Sequence, residues 1–358
     1  MASALSFFKQ FGRTARGERL ERIRKSPHFV NDKFQNEEPT TLFTGKGGLL
    51  KNFGKFLFGK KPKNRIPKLG EIPVVKTDLN HLPESGDFYL WFGHSSFLLR
   101  LGGKTILADP VFYKGSPVSF VNRAFPGTDL YKPNDMPNEI DILLISHDHW
   151  DHLDYQTVTE LKGRVKKVVC PLGVGENFEY WGYDKHQLIE LDWYERATSD
   201  GLTFHCLPTQ HFSGRGFWKA KTMPASWLIE SSSRKVFFSG DGGYSSRFKR
   251  FGEQFPDIDL AIMENGQYDA NWNQIHTMPE QLGRAVADLG AQRFVTVHHS
   301  KFCLSNHPWD EPRKNERKAA EQFGLQLIDC KIGEVVWREK YMKPFAPPLT
   351  AETGTIKK

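Results

Sequence analysis

Cysteine is scarce in this 358-residue chain: Cys170, Cys206, Cys303 and Cys330 stand far apart, with no CxxC pair among them. That spacing excludes a disulfide framework and a thiolate zinc site, and the four are expected to be reduced and mostly buried. Long apolar runs are missing as well. Ile142 to Ile145 and Val236 to Phe238 are typical, far short of the ~20 residues that a bilayer-spanning helix needs. The opening from Met1 to Phe8 meets Lys9 and Arg13 without the basic-then-apolar order of a secretory signal, so a cytoplasmic location is expected. There is no internal repeat, and low complexity is confined to the N-terminal region.

What is present is enough to fold. With 39% hydrophobic and 13% aromatic residues, the chain can bury a full core as one large domain or two moderate ones. The net charge of +7 is unevenly placed: residues 1–70 hold 16 Lys/Arg against 5 Asp/Glu, which leaves a net −4 on the remainder. The basic character therefore belongs to an extension, read as solvated, over residues 1–70. Within 47–65, Leu49, Leu50, Phe53, Phe56 and Leu57 recur near helical spacing among lysines, which suits either peripheral contact with a membrane surface or packing on the protein's own body. A main domain over 71–345 and a short tail over 346–358 complete the division.

From Phe88 the texture changes to short β-rich runs closed by polar residues. Strands are predicted at Phe88 to Phe92, Ser96 to Leu101, Thr105 to Leu107, Ile142 to Ile145, Lys167 to Cys170, Thr203 to Leu207, Ser226 to Glu230, Lys235 to Ser239, Leu260 to Met263, Arg293 to Val297 and Glu334 to Arg338. Helices are predicted at Tyr155 to Leu161, Pro279 to Leu289 with Thr277 as its N-cap, and Lys314 to Phe323. Many strands with a few interleaved helices indicate a layered α/β body.

Acidic residues and histidines follow the apolar strands at their exits: His147 after Ile142 to Ile145, His211 after Thr203 to Leu207, Asp241 after Val236 to Ser239, and His298 after Arg293 to Val297. If those strands are neighbours, their ends converge on one edge, where open α/β sheets place sites. The densest group is His147, Asp148, His149, Trp150, Asp151 and His152. Two residues apart in an extended segment, His147 and His149 point the same way and can grip one ion. Asp151 and His152 follow after a turn and face a second. Three His and two Asp within six residues, with no nearby Lys or Arg, would incur a desolvation cost of several kcal/mol per charge without a cation. Imidazole and carboxylate suit zinc, iron or manganese, zinc first.

The run HDHWDH resembles the HxHxDH signature of the metallo-β-lactamase superfamily, and His211, Asp241 and His298 follow in the superfamily's order. Trp91 to Ser96, Asp109 to Val111 and Ser239 to Tyr244 resemble more narrowly the branch containing N-acylphosphatidylethanolamine-hydrolysing phospholipase D and its bacterial relatives, over about residues 70–340. The resemblance implies an α/β fold, a four-layer αββα sandwich, behind the basic extension. It implies two divalent metal ions: His147, His149 and His211 on the first, Asp151, His152 and His298 on the second, and Asp241 bridging. Asp109 is expected to brace the cradle. A phosphodiester or phospholipid substrate follows, with a homodimer suggested and no nucleic-acid partner expected from a body of net −4.

Two ions a few ångströms apart generate hydroxide from water at neutral pH and aim it at phosphorus. Asp151 is the candidate proton acceptor, and His276, matching a family histidine near the substrate, the candidate donor to the leaving group. His94, Arg215, His299 and Lys301 are weaker candidates to line a substrate pocket. His299 stands where the lipid-hydrolysing relatives carry an aromatic, and Arg215 to Pro224 is this chain's own, so substrate preference does not transfer with the motif. The rivals are a β-lactam or lactone hydrolase, a nuclease, a di-iron redox protein and a non-catalytic metal-stabilised binding protein.

Overall fold

The computed structural model describes residues 7–44, 61–83, 85–118, 122–216 and 218–337. Phe88–Trp91, Ile140–Leu144 and Leu260–Glu264 are buried along their whole length, as strands covered on both faces must be. Two seven-stranded sheets result. The first runs Val335–Val336, Phe88–Trp91, Phe97–Leu101, Lys104–Ala108, Ile140–Leu144, Val165–Pro171, Leu188–Leu191. The second runs Gln326–Leu327, Arg293–Val297, Leu260–Glu264, Lys235–Phe238, Ser226–Glu230, Leu202–Leu207, Arg196–Ser199.

Alternate side chains sort into different layers, as the two-residue strand period requires. Trp91, Phe97 and Ile142 of the first sheet meet Phe204, Trp227 and Phe238 of the second in a central core. Their neighbours Leu98, Leu107 and Val168 face outward onto Val158, Leu161 and Phe178, which come from helices Tyr155–Leu161 and Gly175–Tyr180. On the far side, Leu228, Phe237 and Phe294 pack with Phe248, Val286 and Leu289, from helices Arg247–Gln254 and Leu282–Leu289. The fold is the four-layer αββα sandwich that the resemblance implies.

Three expectations change. The candidate ligand strands are not neighbours in one sheet: Ile140–Leu144 lies in the first, whereas Leu202–Leu207, Lys235–Phe238 and Arg293–Val297 lie in the second. Their exits meet across the end of the sandwich. Second, Thr277 does not cap the following helix, which begins at Leu282; its hydroxyl donates to Gly242 O, and its N–H to Glu264 Oε2 at 3.3 Å. Third, the described part of the basic extension is anchored to the body at several points, although most of its residues remain exposed or half-exposed. Ile23 and Phe34 join the central core, Arg19 pairs with Glu176 and Glu190, and Thr41 N–H donates to Gln274 Oε1. The amphipathic Leu49 to Leu57 stretch and the 346–358 tail lie outside the described residues.

Most predicted strands match within two residues. The strands Leu188–Leu191 and Arg196–Ser199, absent from the predicted set, are sheet edges; the first is mostly half-buried and the second alternates exposed and half-buried. Helix Glu311–Phe323 starts earlier than predicted, with Pro312 in its first turn, and stops at Gly324, whose φ of +63° closes it in the left-handed region. All four cysteines are unpaired. No helix among the described residues is long and apolar enough to cross a membrane.

Candidate metal centre

The centre is assembled at the strand exits. Ser146 links the two sheets before the first ligand: its carbonyl accepts from Ala225 N–H at 2.9 Å, and Ile145 O accepts from Trp227 Nε1 at 3.0 Å. Across the sandwich, Gly240 must be glycine, because a Cβ there would fall 2.6 Å from Ala225 O. Gly266 lets the His298 backbone approach, since its Cβ would fall 2.1 Å from His298 O. His94, Asp109 and His298 have φ of +52°, +40° and +71°, a region that non-glycine residues occupy at a cost and that clusters at functional sites.

All seven predicted ligands come together. The ligand atoms of His147, His149 and His211 lie within 4.8 Å of one another, as do those of His94, Asp151, His152 and His298, and those of His147, His152 and Asp241. His147 Nε2 lies 2.9 Å from His149 Nδ1, which is 3.3 Å from His211 Nε2. On the other side, Asp151 Oδ2 lies 3.4 Å from His298 Nε2 and 3.5 Å from His152 Nε2. Asp241 Oδ2 stands between the two groups, 3.1 Å from Nε2 of His152 and of His298 and 3.9 Å from Nε2 of His147 and of His211.

On His152, His211 and His298 the remaining imidazole nitrogen meets an acceptor that sets the tautomer. His152 Nδ1 donates to Asp109 Oδ2 at 2.8 Å, and His211 Nδ1 to Ile275 O at 2.9 Å. His298 Nδ1 lies 3.2 Å from Glu264 Oε1 and 3.3 Å from Gly266 O. Asp109 is a brace: it also accepts from Ser146 N–H at 2.8 Å and from Ser146 Oγ at 2.5 Å.

Charge divides the cradle. Burial pushes His147 and His211 well below the ordinary imidazole range and His149 down to about 4, which leaves them neutral, the ligand form. For His152 and His298 burial is outweighed: Asp241 and Asp151 pull His152 well up, and Asp241, Asp151 and Glu264 lift His298 to about 10. Carboxylates converging on imidazole Nε2 atoms form an arrangement that a divalent cation answers. His152 Nε2 and Asp241 Oδ1 are buried without a hydrogen-bond partner, even though His152 Nε2 is 3.1 Å from Asp241 Oδ2; that contact is close but not directed as a hydrogen bond. Orphaned buried atoms are costly, and both residues belong to the groups just described. The residues present fit divalent cations.

The flanking candidates separate. His276 reaches the site, its Nδ1 hydrogen-bonded to Glu264 and its ring 5.1 Å from that of His211. His94 is fully buried beneath the centre, with Nε2 2.8 Å from Asp151 Oδ2, where it supports a ligand rather than lining a pocket. The other three are engaged elsewhere. Arg215 donates to Gln10 O, Asp148 O and Leu153 O. His299 is taken up by Thr296 and Ser300, and Lys301 donates to Val111 O and Phe92 O. His299 and Lys301 are bonded to the protein itself, and Arg215 Nη2, though left without a partner, is buried.

Two residues escape the motif reading. Glu264 is buried and serves His276, His298, Gly242 N–H and Thr277 N–H together; it ends a strand, the same position that marks the ligands. Asp148, inside the histidine run, turns away from the centre to accept from Ser213 Oγ, Gly214 N–H, Thr222 Oγ1 and Asn177 Nδ2.

Residues 104–299 match the family model described as the beta-lactamase superfamily domain. An uncharacterized protein of Mycobacterium tuberculosis is 34% identical over 302 residues, 83% of this chain and 80% of its own length. The N-acyl-phosphatidylethanolamine-hydrolyzing phospholipase D 1 of Caenorhabditis elegans is 29% identical over 307 residues, 78% of this chain and 84% of its own. Among solved structures, the diiron beta-hydroxylase CmlA from Streptomyces venezuelae superposes with a TM-score of 0.54 at 19% identity. That match covers 71% of this chain but only 54% of CmlA, and shows a shared fold alone. By family model, by overall identity and by architecture, the chain belongs to the metallo-β-lactamase superfamily.

Proposed function

We propose that the chain is a dinuclear metal-dependent hydrolase of phosphodiesters, with phospholipase D-like cleavage of N-acylphosphatidylethanolamine-type lipids. The observation that carries the reading is the shared carboxylate: Asp241 Oδ2 faces His152 and His298 at 3.1 Å and His147 and His211 at 3.9 Å. His147, His149 and His211 would hold one ion, Asp151, His152 and His298 the other, and Asp241 both, with zinc first and iron or manganese sharing the donor preference. Two divalent ions so placed supply hydroxide from water near neutral pH and screen the charge on a phosphodiester.

The chain's own groups direct the proton traffic. Asp151 is steadied through Oδ2 by His94 Nε2, and its carboxylate accepts the proton of the attacking water. Oxygen adds to phosphorus, and the P–O bond to the N-acylethanolamine side breaks. Since Glu264 engages His276 Nδ1, Nε2 is the atom left to protonate the departing alkoxide. The products are phosphatidic acid and an N-acylethanolamine. The lipid substrate is supported by the likeness to the C. elegans enzyme and by the basic, apolar 47–65 segment; peripheral contact with the cytoplasmic face of a membrane and a homodimer belong to the same reading.

Metal analysis with a bis(p-nitrophenyl) phosphate assay tests the centre: about two ions per chain and loss of both rate and metal in His149→Ala are expected. Fewer ions and an unchanged rate refute it. Product analysis on N-acylphosphatidylethanolamine micelles tests the lipid, with Leu49, Leu50, Phe53 and Phe56 changed to serine as the membrane-contact arm. Absence of both products from the intact chain removes the lipid substrate and leaves the hydrolase standing.

A further inference from the structure

Arg215 is 2% exposed, yet among the described residues no carboxylate hydrogen-bonds its guanidinium, and its Nη2 is buried without a partner. Its partners are backbone carbonyls from three places: Nε donates to Gln10 O at 2.9 Å, and Nη1 to Asp148 O at 3.0 Å and Leu153 O at 2.6 Å. The last two bracket the stretch that carries His149, Asp151 and His152. The turn between them is also gripped from outside. Arg215 Cζ lies 4.0 Å from the centre of the Trp150 ring, and Phe11 meets that ring edge-on at 5.1 Å. The approach of Phe11 is close enough that a Cβ on Gly216 would fall 2.9 Å from its ring.

Burying a cation without an ion pair is expensive. One planar guanidinium ties both ends of the turn through Nη1 to the Gln10 backbone through Nε while its flat face covers Trp150, a combination that the point charge of a lysine does not provide. We infer that Arg215 is a positioning residue for the metal loop, and that the N-terminal strap at Gln10 and Phe11 completes the clamp. The ligands on one six-residue loop are thereby held in register by a segment more than a hundred residues upstream. The inference rests on the metal-centre reading above.

The test uses the full chain loaded with zinc, titrated against a chromophoric chelator, with thermal melts of the metal-free proteins alongside. Arg215→Met and Phe11→Ala are expected to retain zinc on the order of 10–100-fold less tightly than the wild type, the effect usual for residues that orient ligands. Val286→Ala, in the outer core behind the second sheet, is the control: it lowers the melting temperature without touching the loop and should retain zinc as the wild type does. Should Arg215→Met fail to fold, Phe11→Ala decides, because it removes the outer grip and leaves the guanidinium. Wild-type retention in the folded clamp variants, or an equal loss in Val286→Ala, overturns the inference. A wild-type protein that binds no zinc, iron or manganese refutes the metal centre itself, a separate outcome.

Discussion

Replacing Asp109 by asparagine alters one atom at the back of the cradle and should empty half of it. In the native protein Asp109 Oδ2 accepts from His152 Nδ1 at 2.8 Å and from Ser146 Oγ at 2.5 Å, while Oδ1 accepts from Ser146 N–H at 2.8 Å. The asparagine oxygen keeps the backbone contact, which leaves its NH2 facing His152 Nδ1. Two donors then confront each other, and His152 relieves the clash only by moving its proton to Nε2, the nitrogen facing Asp241 and Asp151. A protonated Nε2 cannot ligate. A lost charge-assisted hydrogen bond is worth about 1.5–3 kcal/mol, which corresponds to a weakening of roughly 10–150-fold in affinity. The lobe of Asp151, His152 and His298 should feel it most, because Asp109 bonds His152 directly, reaches His147 only through the Ser146 hydroxyl, and makes no hydrogen bond to His149 or His211. Competitive zinc titration should show two ions on the wild type and about one on Asp109→Asn. Two ions held with unchanged affinity would refute the tautomer argument.

Glu264→Gln removes the carboxylate that orients His276 and His298; kcat on bis(p-nitrophenyl) phosphate should fall about tenfold or more with KM little changed, whereas a change in KM alone would take Glu264 out of the chemistry. Asp148→Ala leaves Ser213, Gly214, Thr222 and Asn177 donors without their acceptor, so urea unfolding should show a loss of about 3 kcal/mol or more, and a loss below about 1 kcal/mol would contradict its role as a hub. Burial lowers Lys301 to about 8, below its unfolded value. The unfolded chain therefore binds the extra proton between that pH and about 10.5, and stability contributed by this group rises with pH across the window. The unfolding free energy of the wild type relative to Lys301→Met should increase by about 2–3 kcal/mol from pH 8 to pH 10; a flat difference would show that burial does not favour the neutral form of Lys301.

The candidate ligands were legible because a metal centre constrains residue type and spacing together. His147, His149, Asp151 and His152 stand within one six-residue run, and His211, Asp241 and His298 each follow an apolar strand. Glu264 obeys the same strand-exit rule, but a lone glutamate at a strand end carries no motif. Arg215, His299 and Lys301 show the reverse error: a basic residue near a site reads as a substrate contact until burial and partners are known, and each of these is buried and hydrogen-bonded to the protein's own groups.

The sequence by itself determined which histidines and aspartates gather at the candidate metal centre and that the body is layered, since both follow from local chemistry and from periodicity along the chain. Tertiary structure decided that two sheets share the site, that Asp148 turns away within the motif, and that a basic N-terminal strap braces the metal loop. Those facts depend on contacts between residues far apart in the chain. The reach of Arg215 to Gln10 spans 205 positions, and no periodicity or spacing rule operates over such a separation; only the folded backbone brings the two together.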